Sequence, residues 1–370
     1  MRKVHSFDCD MNTIARPVPD LSVIRADVRE LTAYHVPDAA GLIKLDAMEN
    51  PFPLPPALAR ELADCLAQVA LNRYPPADPV ALKQQLARVT GLPDAMALAL
   101  GNGSDELIHL LVQACAGPDA VVLAPWPGFV MYRMSAIFNR CRFVGVPLQE
   151  DFSLDRAALL AAIDECQPPL IFIAYPNNPT GNLFERATID AVLDAAHGLV
   201  ILDEAYLPFA LDTWLPQLSQ RSNLLVLRTL SKLGLAGIRL GYLCGDRRWI
   251  REVDKLRPPY NVNVLTLAAA GFALDHIAVL DAQAALLRTE RQRMLAALRA
   301  LKPVTTFDSA ANFILLRVAD ADTVFASLQE RGILIKNVSR AHPLLAGCLR
   351  VTVGTPQENE SFLSALSASL

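Results

Sequence analysis

From Asp78 onward this chain alternates short runs that are apolar at nearly every residue with longer segments whose apolar residues recur at helical spacing. ALAL precedes DELIHLLVQACA, AVVLAP precedes FVMYRMSAIF, and LIFIAYP precedes ERATIDAVLDAAHG; LVILDEAY, LLVLRTLS and RLGYLCG follow. A strand that faces water on one side alternates apolar and polar residues, so a strand apolar throughout needs cover on both faces. The pattern predicts an α/β fold of the doubly wound class, a mainly parallel sheet between helices. Beyond the PPYNVN break at Pro258 to Asn263 it changes to a long helix rich in Ala, Leu and Arg, reaching about Leu301. Strand-like NFILLRV, a helix around Val324 to Arg331, GILIKNV, CLRVTVG and a closing helix complete a smaller α+β domain. The expected organisation is an N-terminal arm over residues 1–45, packing with the small domain, a large domain over 46–262 and the small domain over 263–370. In the arm, Leu21 to Leu31 reads as a short helix and LIKLDA as a strand; PFPLPP, at Pro51 to Pro56, reads as an exposed loop.

Composition removes several functions. The formal net charge is -4 and the basic residues are scattered, so nothing forms the electrostatic footprint of a nucleic-acid binder. No apolar run approaches the ~18 residues of a membrane span, and MRKVHSFDCDMNTIARPVPD lacks the apolar centre of a signal peptide; a cytoplasmic protein is expected. Seven scattered cysteines make no disulfide framework, and six histidines show no metal-ligand pairing, so no metal is expected.

In an open parallel sheet the ligand lies beyond the carboxyl ends of the strands. The polar residues gather there. After ALAL, Gly101-Asn102-Gly103-Ser104-Asp105-Glu106 leads into a helix whose first N–H groups suit a phosphate, although Glu106 stands where a dinucleotide fingerprint would place a third glycine. A plain turn with a capped helix fits this segment as well. After LIFIAYP comes Asn177-Asn178-Pro179-Thr180-Gly181, which alone reads as a turn. After LVIL comes Asp203, a carboxylate that must find a partner at a buried strand end. After LLVLRTL come Ser231 and Lys232, one of only seven lysines, and Arg239. A lysine kept from bulk water has a lowered pKa, which suits imine chemistry. A phosphate cradle, such a lysine and a carboxylate that can keep a pyridinium nitrogen protonated are what pyridoxal 5'-phosphate requires.

Asn178-Pro179-Thr180-Gly181, Asp203-Glu204-Ala205-Tyr206 and Ser231-Lys232 through Arg239, in this order, resemble the fold-type I pyridoxal-phosphate aminotransferases. Leu31-Thr32-Ala33-Tyr34, Glu49-Asn50-Pro51, Arg73-Tyr74-Pro75, Gly103 to Glu106, Pro259-Tyr260 and Leu349-Arg350-Val351-Thr352-Val353-Gly354-Thr355 narrow the resemblance to the histidinol-phosphate aminotransferases. The resemblance covers Tyr34 to Thr355. It implies that Lys232 binds the cofactor aldehyde, that Asp203 pairs with the ring nitrogen, and that Asn178 and Tyr206 contact the ring hydroxyl. Gly103, Ser104, Asp105, Ser231 and Arg239 would hold the phosphate, and Phe129 would stack on the ring where many members have tyrosine. Tyr74 would reach the phosphate of the neighbouring subunit, making a homodimer with shared sites. Tyr34, Asn50, Tyr260 and Arg350 would meet the substrate, with Lys336, where many members have arginine, or Arg340 on its phosphate. Taken alone, Tyr34 is an arm aromatic.

The activity implied is amino transfer between L-histidinol phosphate and 2-oxoglutarate, giving imidazole acetol phosphate and glutamate in histidine biosynthesis. An aromatic amino-acid aminotransferase or a threonine-phosphate decarboxylase of the same fold is the alternative. A non-catalytic ligand sensor is more distant, because no helix-turn-helix pattern precedes Glu49.

Overall fold

The computed structural model describes residues 20–32, 36–117 and 119–370. The chain divides into two compact units, residues 1–37 and 38–370. In the first, the expected Leu21 to Leu31 helix is a 3-10 turn at Leu21–Val23 and a helix at Ala26–Arg29, parted where Ile24 and Arg25 turn extended.

The second unit opens with β1 (Ile43–Lys44) and builds a seven-stranded sheet from β2 (Met96–Gly101), β3 (Val121–Trp126), β4 (Arg142–Pro147), β5 (Leu170–Ala174), β6 (Leu199–Asp203), β7 (Leu224–Thr229) and β8 (Gly241–Asp246). Their spatial order is β2-β8-β7-β6-β5-β3-β4. β8 runs antiparallel to both neighbours and the other pairings are parallel. Along β5, Ile171 and Ile173 enter one core while Leu170 and Phe172 enter the other. That is why these strands are apolar at every position. β4 was not legible as a strand: it is an edge, mostly half-exposed, and begins at an exposed arginine.

Register gathers the strand ends that matter. Asp203 pairs with Ala174 on one side and Leu227 on the other, while Gly241 lies opposite both Gly101 and Thr229. Gly241 has no room for a side chain, since a Cβ there would sit 2.5 Å from the Gly103 carbonyl carbon and the Ser104 nitrogen. Its bareness lets the Gly103–Ser104 turn close over β8.

The long helix expected after Asn263 is two helices, Val264–Asp275 and Ile277–Ala300, bent by 76°. Apolar residues continue on both sides of the break, so composition hides it, but His276 leaves helical geometry and its ring packs on Phe272 at 4.5 Å. Among the described residues no single helix is long and apolar enough to cross a membrane.

The remaining strands are β9 (Thr305–Thr306), β10 (Phe313–Arg317), β11 (Ile333–Leu334), β12 (Lys336–Asn337) and β13 (Cys348–Thr352). They form a four-stranded sheet in the order β12-β13-β10-β9, while β11 pairs in parallel with β1. GILIKNV is therefore two strands serving two sheets, parted at Ile335. The closing helix, Pro356–Ser369, starts with a capping box between Thr355 and Glu358.

Candidate active site

A cavity of about 100 Å³ opens at the carboxyl ends of β5, β6 and β7, lined by Ser104, Asp105, Phe129, Asn178, Asp203, Tyr206, Ser231, Lys232 and Arg239. These nine are sequence-predicted site residues; Met48, Ala174, Pro176, Ala205 and Thr229, which are not, complete the lining.

At its phosphate-like end, Gly103 turns with a φ of 80° and the helix Ser104–Cys115 begins. Glu106 explains the missing third glycine. Its carboxylate accepts from the Asn102 N–H at 2.6 Å and from Asn261 Nδ2 at 2.8 Å, while Asn102 Nδ2 donates to the Asn261 carbonyl at 2.8 Å. The loop is thereby tied to the segment that carries Tyr260. Arg239 lies over Gly103, with Nη1 donating to Ser231 Oγ at 3.5 Å and Nη2 3.7 Å from Asp105 Oδ2. Burial pushes the Asp105 carboxyl up, against the opposing pull of Arg239 and Lys232.

Lys232 sits in the turn Ser231–Leu235, where Gly234 has a φ of 125°. Its Nζ donates to the Ala47 carbonyl at 3.0 Å and stands 6.0 Å from the centre of the Tyr206 ring. Burial, with help from the Arg350 and Arg239 charges, lowers its pKa to about 8, despite Glu49 and Asp105. Asn50, expected at the substrate, instead braces this turn. Its amide donates to the Leu233 carbonyl at 3.1 Å and to Gln283 Oε1 at 3.0 Å, and it does not line the cavity.

Asp203 is almost fully buried at the end of β6, and desolvation raises its pKa to about 6. Oδ1 accepts from the Ala205 N–H at 3.1 Å and Oδ2 from the Tyr132 hydroxyl at 2.8 Å. Asn178 Nδ2 donates to the Tyr206 hydroxyl at 3.2 Å, and its Oδ1 accepts from Arg350 Nη1 at 2.6 Å. Arg350, itself 8% exposed, also donates from Nη2 to the Asp46 carbonyl at 2.8 Å.

Lys336 and Arg340, alternatives in the sequence, part company. Lys336 lies directly opposite Arg350 in the β12–β13 pair, so both side chains share one face. Arg340 belongs to the surface, its side chain 85% exposed and ion-paired with Asp322 at 2.6 Å. Like Arg340, neither Lys336 nor Arg350 lines the cavity itself, and of the two alternatives it is Lys336 that lies beside Arg350. Tyr74 is 81% exposed, outside the cavity, and stacks on Tyr260 with ring centres 4.7 Å apart. Tyr34 lies outside the described residues.

Two features escaped the sequence. Tyr132 behind Asp203 is one; its spacing from Phe129, three residues on in the first helical turn, was the available signal. The other is a buried ion pair, Arg228 with Glu204 at 2.9 Å, completed by Thr213 and the Trp214 N–H. It braces the ends of β6 and β7 beside Asp203.

A lysine amine and a buried carboxylate facing one cavity, with a helix N-terminus at its end, define an aminotransferase site, and residues 40–366 match the family model for aminotransferase class I and II. The chain is 59% identical over 353 residues to histidinol-phosphate aminotransferase 2 of Cupriavidus pinatubonensis, covering 94% of this chain and 96% of the relative. It is 58% identical over 370 residues to histidinol-phosphate aminotransferase 1 of Ralstonia nicotianae, covering 97% and 99%. Within its class, the chain belongs to the histidinol-phosphate aminotransferase family. Among solved structures it resembles the histidinol-phosphate aminotransferase of Sinorhizobium meliloti in complex with pyridoxal-5'-phosphate, with a TM-score of 0.84 at 25% identity over 95% of this chain and 98% of that one.

Proposed function

We propose that this chain transfers an amino group between L-histidinol phosphate and 2-oxoglutarate, giving imidazole acetol phosphate and glutamate, as the transaminase of histidine biosynthesis in the cytoplasm. The observation that carries the reading is the meeting of Lys232 Nζ and the Asp203 carboxylate in one cavity of a chain this similar to the named relatives.

The residues present fit pyridoxal 5'-phosphate. The bare Gly241 and the left-handed Gly103 leave a backbone cradle, and the backbone N–H groups of Ser104 and Asp105, the Ser231 hydroxyl and Arg239 surround it with donors for a phosphate. Phe129 offers a ring face but no hydroxyl, and Asn178 and Tyr206 offer polar groups at the ring edge. When bound, the cofactor supplies a carbonyl carbon that takes up the amino group and a ring that draws electrons from the substrate carbon. Lys232 Nζ, free of its proton in part near neutral pH, accepts the proton from that substrate carbon and delivers it onward. Asp203 holds a positive ring nitrogen in place. Arg350 and Lys336, adjacent on one face, serve the substrate's anionic group, phosphate in one half-reaction and carboxylate in the other.

The test is to follow separate half-reactions with histidinol phosphate, phenylalanine, threonine phosphate and glutamate. Histidinol phosphate and glutamate are expected to be turned over fastest. Faster reaction with phenylalanine, or carbon dioxide release from threonine phosphate, would replace this reading with one of the alternatives.

The exposed Tyr74 and Tyr260 pair is the basis for a homodimer with shared sites, Tyr74 reaching the cofactor phosphate of the neighbouring subunit. Mixing Lys232→Ala subunits with Tyr74→Phe subunits then yields hybrid dimers with one doubly impaired site and one intact site. Activity above that of either parent is expected. Activity no greater than the parents' would mean that each site is complete within one chain.

A further inference from the structure

One residue touches Asp203 from outside the cavity. Tyr132 is 1% exposed and does not line the cavity, so anything it does there acts through the carboxylate. Its ring stacks on Phe172, with centres 4.6 Å apart and planes 6° from parallel, and meets Phe129 edge-on at 5.6 Å. Stacking of this kind fixes the ring plane, which fixes where the hydroxyl points. It points at Asp203 Oδ2, 2.8 Å away.

We propose that Tyr132 is a positioning residue of the cofactor site: by donating to Oδ2 it keeps Asp203 ionised and oriented, and so sets how firmly a pyridine nitrogen in the cavity holds its proton. The inference rests on the reading that the cavity takes pyridoxal phosphate. Asp203 needs such help because its surroundings oppose its charge. It is taken out of water at the end of a buried strand, and two other carboxylates, Asp105 from the helix Ser104–Cys115 and Glu204 next along the chain, repel it. Two donors counter this, the Ala205 N–H at 3.1 Å and the shorter, charge-assisted bond from Tyr132. A backbone N–H cannot be tuned by side-chain choice; the phenol can. It also stays a donor across the working pH range, since burial and the neighbouring Asp203 both oppose loss of its proton. With one oxygen held by each donor, the carboxylate is locked in plane and each oxygen keeps a second acceptor direction. A protonated Asp203, by contrast, could not hold a pyridinium N–H.

The test loads the protein with ring-15N pyridoxal phosphate and follows the nitrogen resonance from pH 6 to pH 9. The parent is expected to stay at the pyridinium position throughout. Tyr132→Phe keeps the ring and its stacking but removes the donor, so its resonance should move toward neutral pyridine within that range. Its kcat should fall about ten- to hundredfold with KM for the amino donor little changed, as expected for loss of one hydrogen bond to a charged group. Tyr132→3-fluorotyrosine keeps the shape and strengthens the donor; with the titration carried on above pH 9 until the parent's nitrogen loses its proton, it should hold the pyridinium signal to higher pH than the parent, and it decides the matter should the phenylalanine variant fail to fold. Nitrogen signals that track the parent's at every pH in both variants, whatever happens to melting temperature or rate, would make Tyr132 a packing residue and overturn the proposal. A parent that takes up no cofactor is a separate result, which overturns the functional reading and this inference with it.

Discussion

Lys232→Ala is expected to leave a folded chain that no longer transfers amino groups, with turnover lower by about four orders of magnitude or more. General-base transfer by a placed side chain is itself worth roughly 10²–10⁴-fold, and this amine also captures the cofactor, so both contributions vanish together. The environment of Lys232 gives a second way to check the assignment. Burial, reinforced by Arg350 and Arg239, disfavours its ammonium form and brings its pKa from 10.5 to about 8. The reactive species is the free amine, so the rate at which cofactor-free protein takes up pyridoxal phosphate should rise about tenfold per pH unit below 8 and level off above it. A lysine of ordinary pKa would keep gaining to about pH 10. Stopped-flow absorbance measures this directly. Turnover of the alanine variant within tenfold of the parent would remove Lys232 from the reaction, and uptake still climbing at pH 9.5 would show that its surroundings do not tune it.

What the sequence revealed, and what it hid, follows from where each residue's partners come from. Strands such as β5 and β6 were legible because their own residues, apolar at every position, report cover on both faces. β4 was missed because an edge strand needs no such run, and β11 and β12 merged because the pairing that separates them lies in β1 and β13. The site divides in the same way. Asp203, Lys232 and Asn178 stood out as polar groups at the ends of buried strands, where an unpartnered group is costly. Lys336 and Arg340 stayed alternatives in the sequence because what distinguishes them lies in other segments, the β12–β13 pairing that sets Lys336 beside Arg350 and the contact of Arg340 with Asp322, 18 residues away. Asn50 reads in the sequence as a ligand, while its amide donates to Leu233 and Gln283, contacts that join segments some 180 and 230 residues distant. Tyr132 is hidden for the complementary reason, since nothing near it in sequence announces that its hydroxyl meets a residue 71 positions on.

Asp203→Asn should separate function from stability, because the same desolvation that makes this carboxylate useful works against the cofactor-free fold. Its folded pKa, about 6, lies above the ordinary 3.8, so the folded chain holds this proton more tightly than the unfolded chain does. The stability this contributes is fully present below about pH 4 and is lost as pH rises through 6. At neutral pH the folded protein therefore carries a buried ionised group at a cost of order 3 kcal/mol. Asparagine removes the titration while keeping shape and hydrogen bonds. Its amide oxygen can accept from the Ala205 N–H, and its NH₂ can donate to the Tyr132 oxygen, which turns from donor to acceptor. The cofactor-free variant should then melt a few degrees above the parent at pH 8, with the advantage gone near pH 4. Amino transfer should move the other way. Without a negative charge at this end of the cavity a positive ring nitrogen loses its partner, and removal of one such fixed electrostatic contact typically costs about 100- to 1000-fold in rate. Thermal unfolding at the two pH values and single-turnover rates on loaded protein measure the two effects independently. A variant that is no more stable than the parent at pH 8 would show that the carboxylate's burial is already compensated, and an unchanged single-turnover rate would show that the charge of Asp203 plays no part in the chemistry.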